Sequence, residues 1–141
     1  MTRMNHVHLV RHGEADFGPV NDRGWPGLAS ELAPLTPAGM AQAVAAADEL
    51  AGAGASYLVC SPATRALQTA AVIGHRLALG LHVEFELRQR ALAALRRHLA
   101  DAGGPIIAVS HAVVIGSLTG DLDPPPGSVH RYLPDLAAHD A

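Results

Sequence analysis

Three short apolar runs, Val7-His8-Leu9-Val10, Tyr57-Leu58-Val59-Cys60 and Ile106-Ile107-Ala108-Val109, constrain this chain most. Each stops abruptly at polar residues, which is the pattern of a buried strand ending at a working loop. The residues that follow are Arg11-His12-Gly13-Glu14, Ser61-Pro62 and Ser110-His111. Between the runs lie helical patterns, and strands alternating with helices imply a mainly parallel sheet covered on both faces. The expectation is an α/β fold, a three-layer αβα sandwich. In such sheets ligands bind outside the carboxyl ends of the strands, so the polar residues there are the ones to compare.

The intervening segments fill in the layers. Asp16 to Pro34, with Gly18-Pro19, Arg23-Gly24 and Pro26-Gly27, reads as a long loop in which Trp25 is a candidate packing anchor. Thr36-Pro37 resembles a helix cap followed by proline at the first helical position, and Met40, Val44, Ala47 and Leu50 form a stripe ending at Gly52 and Gly54. Ser61-Pro62 reads as a second cap-and-proline start, with Ala66, Ala70, Ile73 and Leu77 on one face and Gly80 closing the helix. Leu81 to Phe85 is expected as an edge strand. Leu92, Leu95 and Leu99 mark a further helix stopped by Gly103-Gly104-Pro105, and a short helix runs through Val114 and Leu118. Asp123 to Gly127 is a loop, Ser128 to Leu133 a terminal edge strand, and 134–141 a frayed tail.

Composition narrows the function classes. The 141 residues read as one domain, 1–141, with no repeat or linker. Net charge is −3, so no global basic field points to nucleic acid. Arg88, Arg90, Arg96 and Arg97 cluster, and a solvated helix face is the simpler account of them. Cys60 is the only cysteine, which fits a reducing compartment. The first five residues lead into the first strand without a signal-type apolar region, and no run approaches the roughly 20 residues of a membrane span. These features predict a cytoplasmic protein with no membrane partner.

If the three strands are parallel neighbours, Arg11, His12, Arg65 and His111 meet at one crevice, toward which two helix N-termini, near Pro62 and Ala112, also point. That combination suits a dianion: the arginines clamp its oxygens and one histidine attacks the atom they hold. His6 and His8 are the nearest approach to a metal-ligand pair, but they fall on one strand face short of its end, and ordinary strand residues are the simpler account.

Arg11-His12-Gly13-Glu14, Pro34-Leu35-Thr36-Pro37-Ala38-Gly39 with Gln42-Ala43, Ser61 to Ala70, and Ser110-His111-Ala112 resemble the motifs of the histidine phosphatase superfamily, the family of phosphoglycerate mutases and related acid phosphatases. The resemblance runs over residues 5 to 120 in the family's order. It implies a phosphoglycerate mutase-like fold and hydrolysis of phosphomonoesters through a phosphohistidine on His12. Arg11, Arg65 and His111 would hold the phosphoryl group together with the helix start at Ala112. It implies no metal and no other cofactor, and a phosphorylated small molecule or phosphoprotein as substrate.

The chain departs from the family pattern twice. The position that carries the proton-donating glutamate in relatives is Gln89 here, which leaves Glu86 as the nearest carboxyl group; its competing reading is an edge-strand surface charge. The long insertion that covers the site in many relatives is also missing, because Arg90-Ala91-Leu92 begins the next helix at once. An open site suits a compact phosphohistidine or phosphoprotein phosphatase. The alternative of another class is a non-catalytic phosphate-binding regulatory module, for which the missing glutamate argues.

Overall fold

The structure, a computed structural model, describes residues 6–24, 27–88 and 90–134. Trp25, Gln89 and 135–141 of the expected tail lie outside the described residues. Five strands form one sheet: β1 (Val7–Arg11), β2 (Tyr57–Cys60), β3 (Leu81–Val83), β4 (Ile106–Ser110) and β5 (Val129–Tyr132), in the order β3-β2-β4-β1-β5. β1 and β2 both pair in parallel with β4, β3 pairs in parallel with β2, and β5 runs antiparallel along β1. Arg11 stands opposite Ser110, and Cys60 opposite Val109, so the three apolar runs end side by side.

The helices are α1 (Gly18–Asp22), α2 (Pro37–Leu50), α3 (Thr64–Leu77), α4 (Ala91–Ala102) and α5 (Ala112–Thr119). On one sheet face Ala46, Ala47 and Leu50 of α2 and Ala66, Ala70 and Ile73 of α3 pack against Val10, Leu58 and Ile107. On the other, Ala91, Leu95 and Leu99 of α4 and Val114 and Ile115 of α5 cover Val7, Leu9, Val59 and Ile106. Strand residues alternate between these clusters because successive side chains leave a strand on opposite faces. This is the three-layer αβα arrangement.

Four local expectations change. Asp16 to Pro34 is not a plain loop: it holds α1 and a 3₁₀ turn at Gly27–Leu32. Gly18-Pro19 reads as a breaker, yet proline in a first turn is also a helix start, and here it opens α1. In α2 the buried positions are Gly39, Ala43, Ala46, Ala47 and Leu50, while Met40 and Val44 are 42% and 36% exposed. Gly39 fixes that rotation, since its backbone lies against Glu14 so closely that a Cβ there would sit 2.2 Å from the Glu14 carbonyl oxygen. β3 stops at Val83, and Phe85–Arg88 forms a second 3₁₀ turn. Glu84 makes the change, its carboxylate accepting from the Glu86 N–H at 3.1 Å and pairing with His98 at 2.9 Å. The fourth change is Ser61. α3 begins at Thr64 after Ala63, so Ser61 does not cap it, whereas Thr36 caps α2 by accepting from the Gly39 N–H at 2.9 Å.

Candidate active site

The crevice lies where β1, β2 and β4 end. His12 follows β1 and is only 8% exposed. Its Nδ1 donates to the Gly13 carbonyl at 2.7 Å, and a carbonyl only accepts, so Nδ1 carries the proton. Nε2 therefore presents its lone pair, and Arg65 Nε donates to it at 3.3 Å. Burial, with Arg65 and Arg11 adding to it, depresses the His12 pKa to about 4 against the opposing pull of the Gly13 carbonyl. A neutral imidazole with a fixed tautomer is the form that attacks phosphorus.

The turn that carries His12 is clamped on three sides. Gly13 donates to Thr69 Oγ1 of α3 at 3.0 Å, and Thr69 in turn donates to the Arg65 carbonyl at 2.8 Å. A Cβ on Gly13 would lie 2.4 Å from the Gly39 carbonyl oxygen, so only glycine permits this approach to α2. Glu14 N–H donates to Gln42 Oε1 at 2.8 Å, the Glu14 carbonyl accepts from the Thr36 N–H at 3.0 Å, and Leu35 N–H donates to Gln68 Oε1 at 2.7 Å. The motif residues around Thr36, Gly39, Gln42 and Gln68 thus serve one purpose: they hold the turn that carries His12.

His111 follows β4 as the residue before α5, its ring centroid 5.3 Å from that of His12. Its Nε2 lies 2.7 Å from Ser61 Oγ, which explains why Ser61 stands at the end of β2 without capping a helix. Burial first, then His12 and the arginines, depress the His111 pKa to about 3. The opening N–H groups of α5, from Ala112, lie at the same strand end, where a helix start favours an anion. Arg11 donates from Nη1 to the Pro124 carbonyl at 2.6 Å, while its buried Nε has no hydrogen-bond partner. Arg65 also donates to the Ser30 carbonyl at 3.4 Å and lies 5.6 Å over the Phe17 ring.

The structure therefore brings Arg11, His12, Arg65, His111 and the Ala112 helix start together. Glu86 stands apart from them, its carboxylate pairing with Arg97 of α4 at 3.3 Å on a half-exposed side chain. One arginine of the cluster read as a solvated helix face does not lie on an α-helix. Arg88 lies in the second 3₁₀ turn, pairs with Glu31 at 3.0 Å, and its charge bears on both Arg65 and His111. His6 and His8 meet at 3.1 Å between their Nε2 atoms, with Arg131 of β5 opposite His8. Among the described residues no group of three or more histidine, cysteine or acidic side chains is placed to hold a metal. No described helix is long and apolar enough to cross a membrane.

The model of the histidine phosphatase superfamily (branch 1) matches residues 7–89. None of the curated proteins matches the sequence. Solved structures match in shape. The protein histidine phosphatase SixA complexed with tungstate superposes with a TM-score of 0.64 at 21% identity, covering 94% of this chain and 99% of that one. A mycobacterial glucosyl-3-phosphoglycerate phosphatase gives 0.68 at 19% identity, and YhfR of Bacillus stearothermophilus 0.72 at 18%; each covers 90% of both chains.

Proposed function

Because the chain belongs to the histidine phosphatase superfamily, we propose that His12 is its phosphoryl-accepting nucleophile in the hydrolysis of phosphorylated substrates. The observation that carries this is the His12 ring itself, with its Nδ1 proton committed to the Gly13 carbonyl and its Nε2 facing the Arg65 guanidinium. In the free protein Arg65 occupies the Nε2 lone pair. An arriving phosphoryl dianion draws that guanidinium onto its oxygens and frees Nε2 to attack. The bond from Nε2 to phosphorus forms as the bond to the leaving group breaks, and the Gly13 carbonyl stabilises the cationic phosphoimidazole. Water then attacks phosphorus, the N–P bond breaks, inorganic phosphate leaves and the water's proton passes to solvent. Arg11, Arg65, His111 and the Ala112 helix start stabilise charge on the transferring group, which is the main demand of phosphoryl transfer.

The positive groups supply that stabilisation without a metal, so activity is expected to survive chelators. Among the described residues no carboxylate hydrogen-bonds to His12 or His111, and Glu86 would act as an acid only by leaving Arg97. That favours leaving groups that depart without a proton from the protein. The imidazole of a phosphohistidine is the biological case, and the SixA likeness agrees with a phosphoprotein substrate. The test is trapping: acid-labile, base-stable phosphate on the wild type and none on His12→Ala. Substantial turnover by a folded His12→Ala protein would refute the assignment.

A further inference from the structure

Two 3₁₀ turns distant in sequence meet at the rim of the crevice. Arg88 Nη2 donates to Glu31 Oε1 at 3.0 Å across 57 residues. The residue before Glu31, Ser30, accepts from Arg65 through its carbonyl at 3.4 Å, so consecutive residues of one turn hold two guanidinium groups. The residue before Arg88, Leu87, accepts at 2.7 Å from the hydroxyl of Ser110, which directly precedes His111. Arg88 is thus tied to the end of β4 on one side and to Glu31 on the other. Glu31 Oε2 is buried with no hydrogen-bond partner. A desolvated, unpaired carboxylate oxygen is costly and persists where its surroundings hold it in place. Here the charges of Arg65 and Arg88 do so. On its open side Arg88 lines a cleft of about 190 Å³ with Phe85, Glu86 and Arg90.

We propose that Arg88 is a third arginine of the phosphoryl site and that Glu31 is the positioning residue that holds it there. This rests on the reading of His12 and Arg65 as a phosphoryl centre. A carboxylate at such a rim has two opposed effects. It repels the dianion, and it immobilises a flexible arginine whose ordering would otherwise weaken binding. The arrangement favours the second, because Glu31 engages one nitrogen of a guanidinium that has five N–H donors to offer.

Titration calorimetry with inorganic phosphate tests this without turnover, alongside KM and kcat for p-nitrophenyl phosphate. Arg88→Gln is expected to weaken phosphate binding about tenfold, the effect of one charge-assisted contact, and to raise KM more than it lowers kcat. Glu31→Ala should weaken binding several-fold. Glu31→Gln keeps an acceptor for Arg88 and removes the repulsion, so it should bind phosphate at least as tightly as wild type. The double variant Glu31→Ala/Arg88→Gln should bind no more weakly than Arg88→Gln alone. Unchanged affinity in Arg88→Gln, or tighter binding in Glu31→Ala, overturns the proposal. Should Arg88→Gln melt early, Arg88→Lys replaces it, keeping charge and losing the fork, with weaker binding again expected. A wild type that binds phosphate but traps none would remove the catalytic reading and leave this one standing. Normal turnover with wild-type affinity in Arg88→Gln would remove this one alone.

Discussion

The floor and the rim of the site are built by different means. On the floor it is the main chain of His12 to Glu14 that is held: the Gly13 carbonyl takes the ring proton, Gly13 lies against Gly39, and the side chains of Thr69 and Gln42 accept from the N–H groups of Gly13 and Glu14. On the rim it is the side chains of Arg65 and Arg88 that are held, by the Ser30 carbonyl and the Glu31 carboxylate of the first 3₁₀ turn. Clamping the main chain fixes the direction and tautomer of the His12 ring in the free protein. Under the proposed mechanism, clamping the side chains leaves the cations able to trade their partners for phosphoryl oxygens. Chemistry that needs one fixed attacking atom and several adaptable charges divides naturally in this way.

The largest expected effect separates the two by function. Arg65→Ala should lower kcat/KM about 10²–10³-fold, comparable to removing one preorganised donor from charge that develops in a transition state. Its unfolding free energy should change little, since α3 is anchored by Ala66, Ala70 and Ile73 rather than by Arg65. Steady-state kinetics beside urea unfolding reads both. Equal losses of stability and activity would mean that Arg65 belongs to the floor.

Gly13→Ala should do the reverse. Its Cβ would meet the Gly39 carbonyl at 2.4 Å, main chain against main chain, where neither side yields cheaply. A loss of about 3 kcal/mol of stability is expected, read as a melting temperature lower by roughly 10 °C. A Gly13→Ala protein as stable as wild type would show that the floor is not rigid.

The buried histidines give a pH signature. His12, at about 4, and His111, at about 3, both titrate below the ordinary imidazole value of 6.5. As pH falls from about 6.5 toward 4, the unfolded chain takes up protons that the folded chain refuses, so stability is lost across that window. A ring titration by NMR should place both midpoints below 5, and urea unfolding should show less stability at pH 4.5 than at pH 7. Phosphate should raise both midpoints, because a dianion favours the charged rings. Midpoints near 6.5 would mean an open, solvated floor.

The floor is also the part that the sequence displays. Apolar runs ending in Arg11-His12, Ser61 and Ser110-His111 show strands, and parallel pairing then has to bring their ends together. The αβα layering follows from the same alternation. Ser61 is read as a cap because serine before proline starts many helices; only the register of β2 against β4 shows that its hydroxyl meets His111. Glu31 and Arg88 leave no such trace. Their pairing spans 57 residues, and each lies in a short turn with no periodicity to announce it. Met40 and Val44 mislead for a related reason, since α2 takes its rotation from a glycine contact and not from its largest apolar residues.

The smallest expected effect concerns Glu86, which lies in the second 3₁₀ turn of the rim near Arg88 but turns its carboxylate to Arg97 of α4. An acid that protonates the leaving group is commonly worth about 10²–10⁴-fold, and the benefit depends on the leaving group. Nitrophenolate departs as the anion, whereas an alkoxide needs its proton in the transition state. If Glu86 supplies that proton, Glu86→Gln slows alkyl phosphates by about that factor and spares p-nitrophenyl phosphate. With its carboxylate engaged by Arg97 at 3.3 Å, Glu86 instead ties the second 3₁₀ turn to α4. Glu86→Gln is therefore expected to change both rates less than about threefold, while the wild type itself handles alkyl phosphates poorly. A hundredfold loss confined to alkyl substrates would make Glu86 the acid. It would also mean that the rim rearranges on binding far enough for the carboxylate to leave Arg97.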